Sequence, residues 1–346
     1  MPAPPPRSLR LDVDAGALVH NWRALRDLGS GVNTGAAVKA DAYGLGVAGV
    51  VPALRDAGCD TFFVAHWSEV AGVLAHVAPQ QISVLHGPLT LEDAAYARAT
   101  GVRPVLNSLY QARLWQESGG GLCDLMVDTG MNRLGVSMAE WGDALLARLD
   151  VDVLMSHLAC ADEDSPHNAA QHARFTQACA LLPARRRSLA NSAGITLGPG
   201  FRFDMTRPGL SLYGGKQRPE HAGIIRQVVR PAAAIIQIRH IADGDSVGYN
   251  ATFTANRPMR IGVVSLGYGD GYLRCWTGKG WLEHGGRKLG LLGLVSMDMV
   301  AVDLEGAPEL HEGDWLEVPY HLPDAARQSG LSQYELLTLM GARFRR

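Results

Sequence analysis

Lys39 sits near the end of the apolar run A-A-V-K-A (36–40) and is followed at once by the turn-forming D-A-Y-G-L-G (41–46). An amine at the end of a buried strand loses water, and with it some of its hold on a proton. This is what a lysine needs to attack a carbonyl and form a Schiff base. By itself such a lysine also fits an ion pair or a side chain reaching solvent. A second group lies far along the chain, in N-S-A-G (191–194) and R-P-G-L-S-L-Y-G-G (207–215). Gly194 and Gly209 let the backbone approach phosphate oxygens closely, and the Ser192 hydroxyl has a proton to donate to one. Read alone, these are two tight turns that need glycine in any case. Joined to a strand-end lysine on the same face of one scaffold, they point to a cofactor carrying both an aldehyde and a phosphate.

That joining is the task of the elements between them. Eight short apolar runs succeed one another: 36–40, 61–66, 82–87, 103–107, 123–128, 151–159, 187–191 and 203–209. Between most of them lie helix-like stretches long enough for parallel crossovers, such as V-A-G-V-V-P-A-L-R-D-A-G and H-N-A-A-Q-H-A-R-F-T-Q-A-C-A-L-L. The pattern predicts an α/β fold, a (β/α)8 TIM-type barrel with catalytic groups at the C-terminal ends of its strands; a doubly wound open sheet is the alternative. After Tyr213-Gly214-Gly215 the texture turns β-rich, in A-A-A-I-I-Q-I-R-H-I, I-G-V-V-S-L-G-Y-G, L-G-L-L-G-L-V-S-M-D-M-V-A-V-D-L and G-D-W-L-E-V. The expected domains are a barrel over 9–220 and a mostly β domain over 221–346, the latter closing on one helix near S-Q-Y-E-L-L-T-L-M. The strand-like S-L-R-L-D-V-D, within residues 1–14, is placed to pair with the second domain.

Composition narrows the partners. The chain has 346 residues, 47% hydrophobic and 19% charged, with a formal net charge of −2 and no long run of like charge. That is ordinary globular composition without a nucleic-acid footprint, and small charged metabolites suit it better. Five cysteines without C-x-x-C spacing argue against a disulfide framework and against a cysteine-rich zinc site. The start, M-P-A-P-P-P-R-S-L-R-L-D-V-D, has no apolar signal core, and no apolar stretch reaches spanning length, so a cytoplasmic protein without a membrane partner is expected. His157, His167 and His172 lack converging carboxylates at ligand spacing, and no metal is expected.

At this point the residues resemble a known family. A-V-K-A-D-A-Y-G-L-G (37–46) looks like the cofactor-lysine signature of alanine racemases. V-D-T-G-M-N-R-L-G (127–135), S-H-L-A-C-A-D-E (156–163), N-S-A-G, R-P-G-L-S-L-Y-G, V-G-Y-N-A-T-F (247–253), S-M-D-M (296–299) and Y-E-L-L-T (334–338) are similar to further family motifs, in order and at similar spacing. The resemblance runs from about residue 9 to the end. It implies pyridoxal 5'-phosphate bound to Lys39 as a Schiff base, and an isomerase interconverting L- and D-alanine on the way to D-alanine biosynthesis. Racemisation needs acid/base groups on opposite faces of Cα. The resemblance gives Lys39 the D-enantiomer and Tyr249, from a second copy, the L-enantiomer, which implies a homodimer with shared sites. A tyrosine acting as a base needs a nearby cation or hydrogen-bond network, for which His157 and Arg133 are the candidates. Arg207 would face the pyridine nitrogen and keep it unprotonated. Ser192, Gly209, Leu210, Tyr43 and Tyr334 would hold the phosphate. Arg133 and the backbone at Met297 would hold the substrate carboxylate, and Asp298 would steady the polar network.

The family pattern is broken in places. Many members carry a carbamylatable lysine where this chain has Met126, so Arg133 must be oriented otherwise. Leu45 replaces a histidine of the cofactor loop. Trimmed loops leave racemisation of serine or another small amino acid as an alternative, since apolar contacts discriminate a methylene or hydroxyl by only about 1–3 kcal/mol. A decarboxylase on the same scaffold is a further alternative, and fold by itself does not exclude it. A single-barrel cofactor carrier would have no use for a second domain bringing Tyr249.

Overall fold

A computed structural model describes residues 7–340 together with Arg343 and Phe344. The proline-rich start, and with it part of the 1–14 segment, lies outside the described residues. The chain divides into two compact units, one spanning Ala15–Arg226, the other formed by the residues up to Asp14 with those from Gln227 onward. The boundaries thus fall a few residues beyond 9 and 220. The Asn21 amide nitrogen donates to the Arg226 carbonyl at 2.8 Å while its oxygen accepts the Arg226 N–H at 2.8 Å, which ties the chain up to Arg226 to the first helix. Leu9–Val13 instead pairs antiparallel with Val229–Ile241.

The first unit is a parallel barrel. Its strands in chain order are Asn33–Thr34 with Ala36–Ala37, Phe62–Val64, Ile82–Val84, Arg103–Leu106, Leu122–Met126, Asp150–Met155, Arg186–Ser188 and Met205–Thr206. The first is one strand broken at Gly35: Asn33–Thr34 pairs with the last strand and Ala36–Ala37 with the second, so the ring closes. A Cβ on Gly35 would stand 2.9 Å from both the Thr61 carbonyl oxygen and the Phe63 ring, so only glycine fits there. Side chains fill the interior, with Phe63, Val105, Met126, Val153, Met155 and Met205 in one apolar cluster. Below it, Ser83 Oγ on the third strand donates to Asp124 on the fifth at 2.6 Å, and Arg103 pairs with Asp124 at 3.4 Å and Asp152 at 3.2 Å. Non-neighbouring strands reach each other in this way only across the barrel's inside.

The outer helices follow their sequence signals. Ala15–Leu28 buries Ala17, Leu18, Asn21, Trp22 and Leu25, a stripe at helical spacing. Leu91–Thr100 starts at a Thr90–Asp93 capping box and stops at Gly101, whose φ is +80°.

The second unit is built on the thirteen-residue strand Val229–Ile241. Its first part pairs with Leu9–Val13 and Trp315–Glu317, and its second with Met259–Val264 past an irregularity between Ile235 and Gln237. That bend lets one strand serve both ends of an antiparallel ring completed by Val300–Asp303, Arg287–Leu292 and Trp281–His284. The β-rich run 289–304 is divided between Arg287–Leu292 and Val300–Asp303 by L-V-S-M-D-M, where Ser296 Oγ turns back to accept the Met299 N–H at 3.2 Å. One expectation is corrected here. The unit ends on two helices, Leu322–Ser329 and Gln333–Thr338, not one; the first is only eight residues long, has Pro near its N-terminus and buries Leu322, Ala325 and Ser329.

Candidate active site

The strand carrying Lys39 ends at Ala37, earlier than the sequence suggests, and Lys39 opens a left-handed turn. Ala40, Asp41, Ala42 and Tyr43 have φ of +53°, +52°, +54° and +57°. For L-residues this conformation costs roughly 1–2 kcal/mol each, so the surroundings must impose it. Asp41 Oδ1 accepts the Val47 N–H at 2.8 Å, and Glu69 Oε1 accepts the Ala40 N–H at 2.5 Å. Burial, and next the charge of Arg133, lower the pKa of the Lys39 amine, while Glu69 works the other way.

The last strand brings the glycine turns alongside. Ala37 N–H donates to the Pro208 carbonyl at 2.9 Å, so Lys39 and Gly209 flank one strand pair. Ser192, 2% exposed, accepts the Gly209 N–H at 2.9 Å and the Ser211 N–H at 3.3 Å, which leaves its own proton to give away. Tyr43 is buried, stacked on Tyr213 at 4.7 Å between ring centroids, and Tyr213 in turn donates to the Ala37 carbonyl at 2.8 Å. A Cβ on Gly209 would lie 2.4 Å from the Tyr43 hydroxyl oxygen. Leu210 is buried at the start of the short turn Leu210–Tyr213. This cradle of small residues beside a poorly solvated amine fits a phosphorylated aldehyde.

Arg207 is nearly buried, donating to Ser188 Oγ and to the Ser156 carbonyl oxygen. Burial lowers its pKa to about 10, partly offset by Asp124, so it stays charged at neutral pH. His157 is pushed down to about 3, by burial first and then by Arg207, Arg133 and Lys39. It is therefore a neutral imidazole that can act by hydrogen bonding, which leaves Arg133 as the cation of the candidate pair.

Arg133 is exposed and makes no hydrogen bond or ion pair among the described residues. Its loop is what places it. Asp128 Oδ1 accepts the N–H groups of Gly130, Met131 and Asn132 at 2.8, 2.9 and 3.2 Å, and Val136 N–H returns to the Met126 carbonyl at 2.9 Å. Met126 itself is packed in the barrel core.

Tyr249, Met297, Asp298 and Tyr334 belong to the second unit. Tyr249 is 65% exposed on a turn after Gly248. The Met297 side chain is exposed, and its carbonyl accepts the Gly269 N–H at 2.9 Å. Arg343 bridges Asp298 at 2.7 Å and the buried Asp270 at 3.1 Å. Tyr334 lies half-exposed at the start of Gln333–Thr338, behind the Ser332–Glu335 capping box.

Three residues at the rim carried no weight in the sequence: His66 and Glu69 after the second strand, and His86 after the third. The imidazoles of His66 and His86 meet edge to face at 4.2 Å. His66 ends one apolar run and His86 is next to last in another, as Lys39 is in its own, and that position was the available signal. Among the described residues no group of three or more His, Cys, Asp or Glu side chains could hold a metal ion, and no helix is long and apolar enough to cross a membrane.

Comparison with known proteins places this geometry. The model of the alanine racemase N-terminal domain matches residues 13–217, and that of the C-terminal domain matches residues 228–346. The chain is 43% identical to the alanine racemase of Methylobacterium nodulans, covering 97% of this chain and 95% of that one. It is 42% identical to that of Acidiphilium cryptum, covering 97% of each. It is also similar to the crystal structure of alanine racemase from Bartonella henselae with covalently bound pyridoxal phosphate, with a TM-score of 0.91 and 34% identity over 99% of each chain.

Proposed function

The chain belongs to the alanine racemase family, and from that premise we propose that it interconverts L- and D-alanine with two bases, Lys39 and Tyr249 of the partner subunit. The observation that carries the reading is the rim of the first and last barrel strands. There a poorly solvated lysine stands on an imposed left-handed turn beside the Ser192–Gly209–Tyr43 cradle. In this reading Ser192, Gly209, Leu210, Tyr43 and Tyr334 hold the phosphate of pyridoxal phosphate, and Arg207 faces its ring nitrogen. When bound, the cofactor supplies the conjugated ring that lowers the cost of a carbanion at Cα.

The protein supplies the protons and their geometry. Lys39 Nζ takes up or returns the proton on the D face of Cα, and Tyr249 Oη of the partner subunit does so on the L face. Arg133 and the Met297 backbone hold the substrate carboxylate, the arginine placed by the Asp128 clasp instead of a carbamylated lysine. Asp298, bridged by Arg343 to Asp270, steadies the turn that bears Met297. Arg207, buried and charged, would stand toward the ring nitrogen and leave it unprotonated. A homodimer is part of this reading and is supported by the exposed Tyr249, which has more use at a partner's site than in solvent. Work in the cytoplasm fits five cysteines that are all free thiols.

The test is spectral and chiral together. The purified protein should absorb near ~420 nm, the region of this cofactor bound to a lysine, and Lys39→Ala should lose that band. Wild type should turn L-alanine into D-alanine, followed by chiral chromatography, and Tyr249→Phe should not. A band that persists in Lys39→Ala, or full activity in Tyr249→Phe, would refute the assignment.

A further inference from the structure

Glu69 has no part in the reaction as read above, yet its carboxylate reaches the residue next to Lys39. One oxygen, Oε1, accepts the Ala40 N–H at 2.5 Å. The other, Oε2, accepts the N–H groups of Ala65 at 2.7 Å and His66 at 3.1 Å, closing the end of the second strand. A single side chain therefore ties the left-handed turn after the first strand to the end of the second. No alanine or aspartate imposes that turn by preference, and Ala40 is its first left-handed residue.

The charges around the amine give the same carboxylate a second effect. Arg133 acts on Lys39 from the 128–136 loop. Lys39 in turn bears on His86 after the third strand, which meets His66, and on His157 after the sixth. Among the groups that act on Lys39, Glu69 is the carboxylate.

We propose that Glu69 is the positioning residue of the Lys39 amine, latching the turn on which Lys39 stands and setting an anion next to it that opposes the charge of Arg133. The proposal rests on the reading of Lys39 as the cofactor lysine. Glutamine is not equivalent to glutamate here. Its oxygen can serve Ala40, but its NH2 then faces two N–H donors where Oε2 accepted them. The sign of the charge effect is fixed, since an anion beside an ammonium favours the charged form, and its removal lets Lys39 lose its proton at lower pH.

The experiment uses the full chain stripped of pyridoxal phosphate, with circular dichroism to verify folding. Acetic anhydride labels neutral amines, and mass spectrometry of the Lys39 peptide across a pH series gives a labelling midpoint. In Glu69→Gln the midpoint should fall by about one pH unit, whereas Glu69→Asp, which keeps the charge, should shift it less. An unchanged midpoint in folded Glu69→Gln overturns the charge effect. Hydrogen exchange of the Ala40 amide in wild type needs no variant: the latch requires exchange at least ~100-fold slower than a free loop amide, and an unprotected amide overturns it. These results are separate from the ~420 nm band: its persistence in Lys39→Ala overturns the reading of Lys39 and leaves the Glu69 contacts to their own measurements.

Discussion

At Gly209 one added carbon would meet a tyrosine hydroxyl that cannot retreat, because Tyr43 is buried and stacked on Tyr213. Gly209→Ala should therefore weaken retention of pyridoxal phosphate at least tenfold, in line with the 1–3 kcal/mol cost of overpacking, as read by absorbance titration. Unaltered retention would mean that the cradle yields. His157 gives a pH prediction. Folded, it stays neutral down to about 3, whereas an unfolded histidine takes a proton near ~6.5. Between these values the unfolded chain holds the extra proton, so the contribution of the neutral imidazole is full above about 6.5 and is lost as pH falls toward 3. Urea unfolding should show wild type losing up to roughly 1 kcal/mol per pH unit more than His157→Asn across that window. Parallel curves would show that His157 is protonated in the fold. Most of these residues were legible from their types and motifs. The charge state of His157 was not, since it depends first on burial and then on Arg207, Arg133 and Lys39, which lie on other strands and loops.

At the scale of elements, two turns decide where the reactive side chains stand. The 128–136 loop is wound around one carboxylate. Asp128→Ala should raise the KM for alanine roughly tenfold, about the 1.4 kcal/mol of a lost charged hydrogen bond, and leave the cofactor band in place. A lowered kcat with unchanged KM would count against the loop as the device that places Arg133. The motif was visible in the sequence, but the clasp was not, because Asp128 is one more acidic residue until three backbone N–H groups turn toward it. In the turn after Lys39 the two glycines of D-A-Y-G-L-G carry positive φ, as their type permits, but so do Ala40, Asp41, Ala42 and Tyr43, which residue type does not announce. Contacts with Glu69 and the neighbouring strand impose what local preference opposes.

For the whole molecule, the partition of Lys39 and Tyr249 between two units makes subunit exchange the informative experiment. If each site takes Lys39 from one subunit and Tyr249 from the other, a re-assorted mixture of inactive Lys39→Ala and Tyr249→Phe dimers should recover roughly a quarter of wild-type activity. Half of the dimers are then hybrid, with one of two sites intact in each. No recovery after exchange, verified by mass spectrometry of hybrids, would place both residues of a site on one chain. The barrel's eight positions could be read from recurring apolar runs, because most of its strands, such as Phe62–Val64, Ile82–Val84 and Arg103–Leu106, are buried on both faces. The second unit was read less well. Its ring depends on a bend in Val229–Ile241 and on a break at residues 294–299, neither of which changes the apolar pattern enough to be seen.

The sequence by itself determined the parallel barrel, the β-rich unit after it, the amine at the rim and the small residues Ser192, Gly194 and Gly209 in the turns after the last two strands. Each of these is written in local spacing and residue type, and the order of the motifs identified the family. Only the tertiary structure decided the closure of the ring through Gly35, the left-handed turn after Lys39, the neutrality of His157 and the reach of Glu69 to Ala40. These depend on which groups from distant parts of the chain share a few ångströms of poorly solvated space. There desolvation and hydrogen bonding outweigh the preferences that neighbouring residues carry on their own.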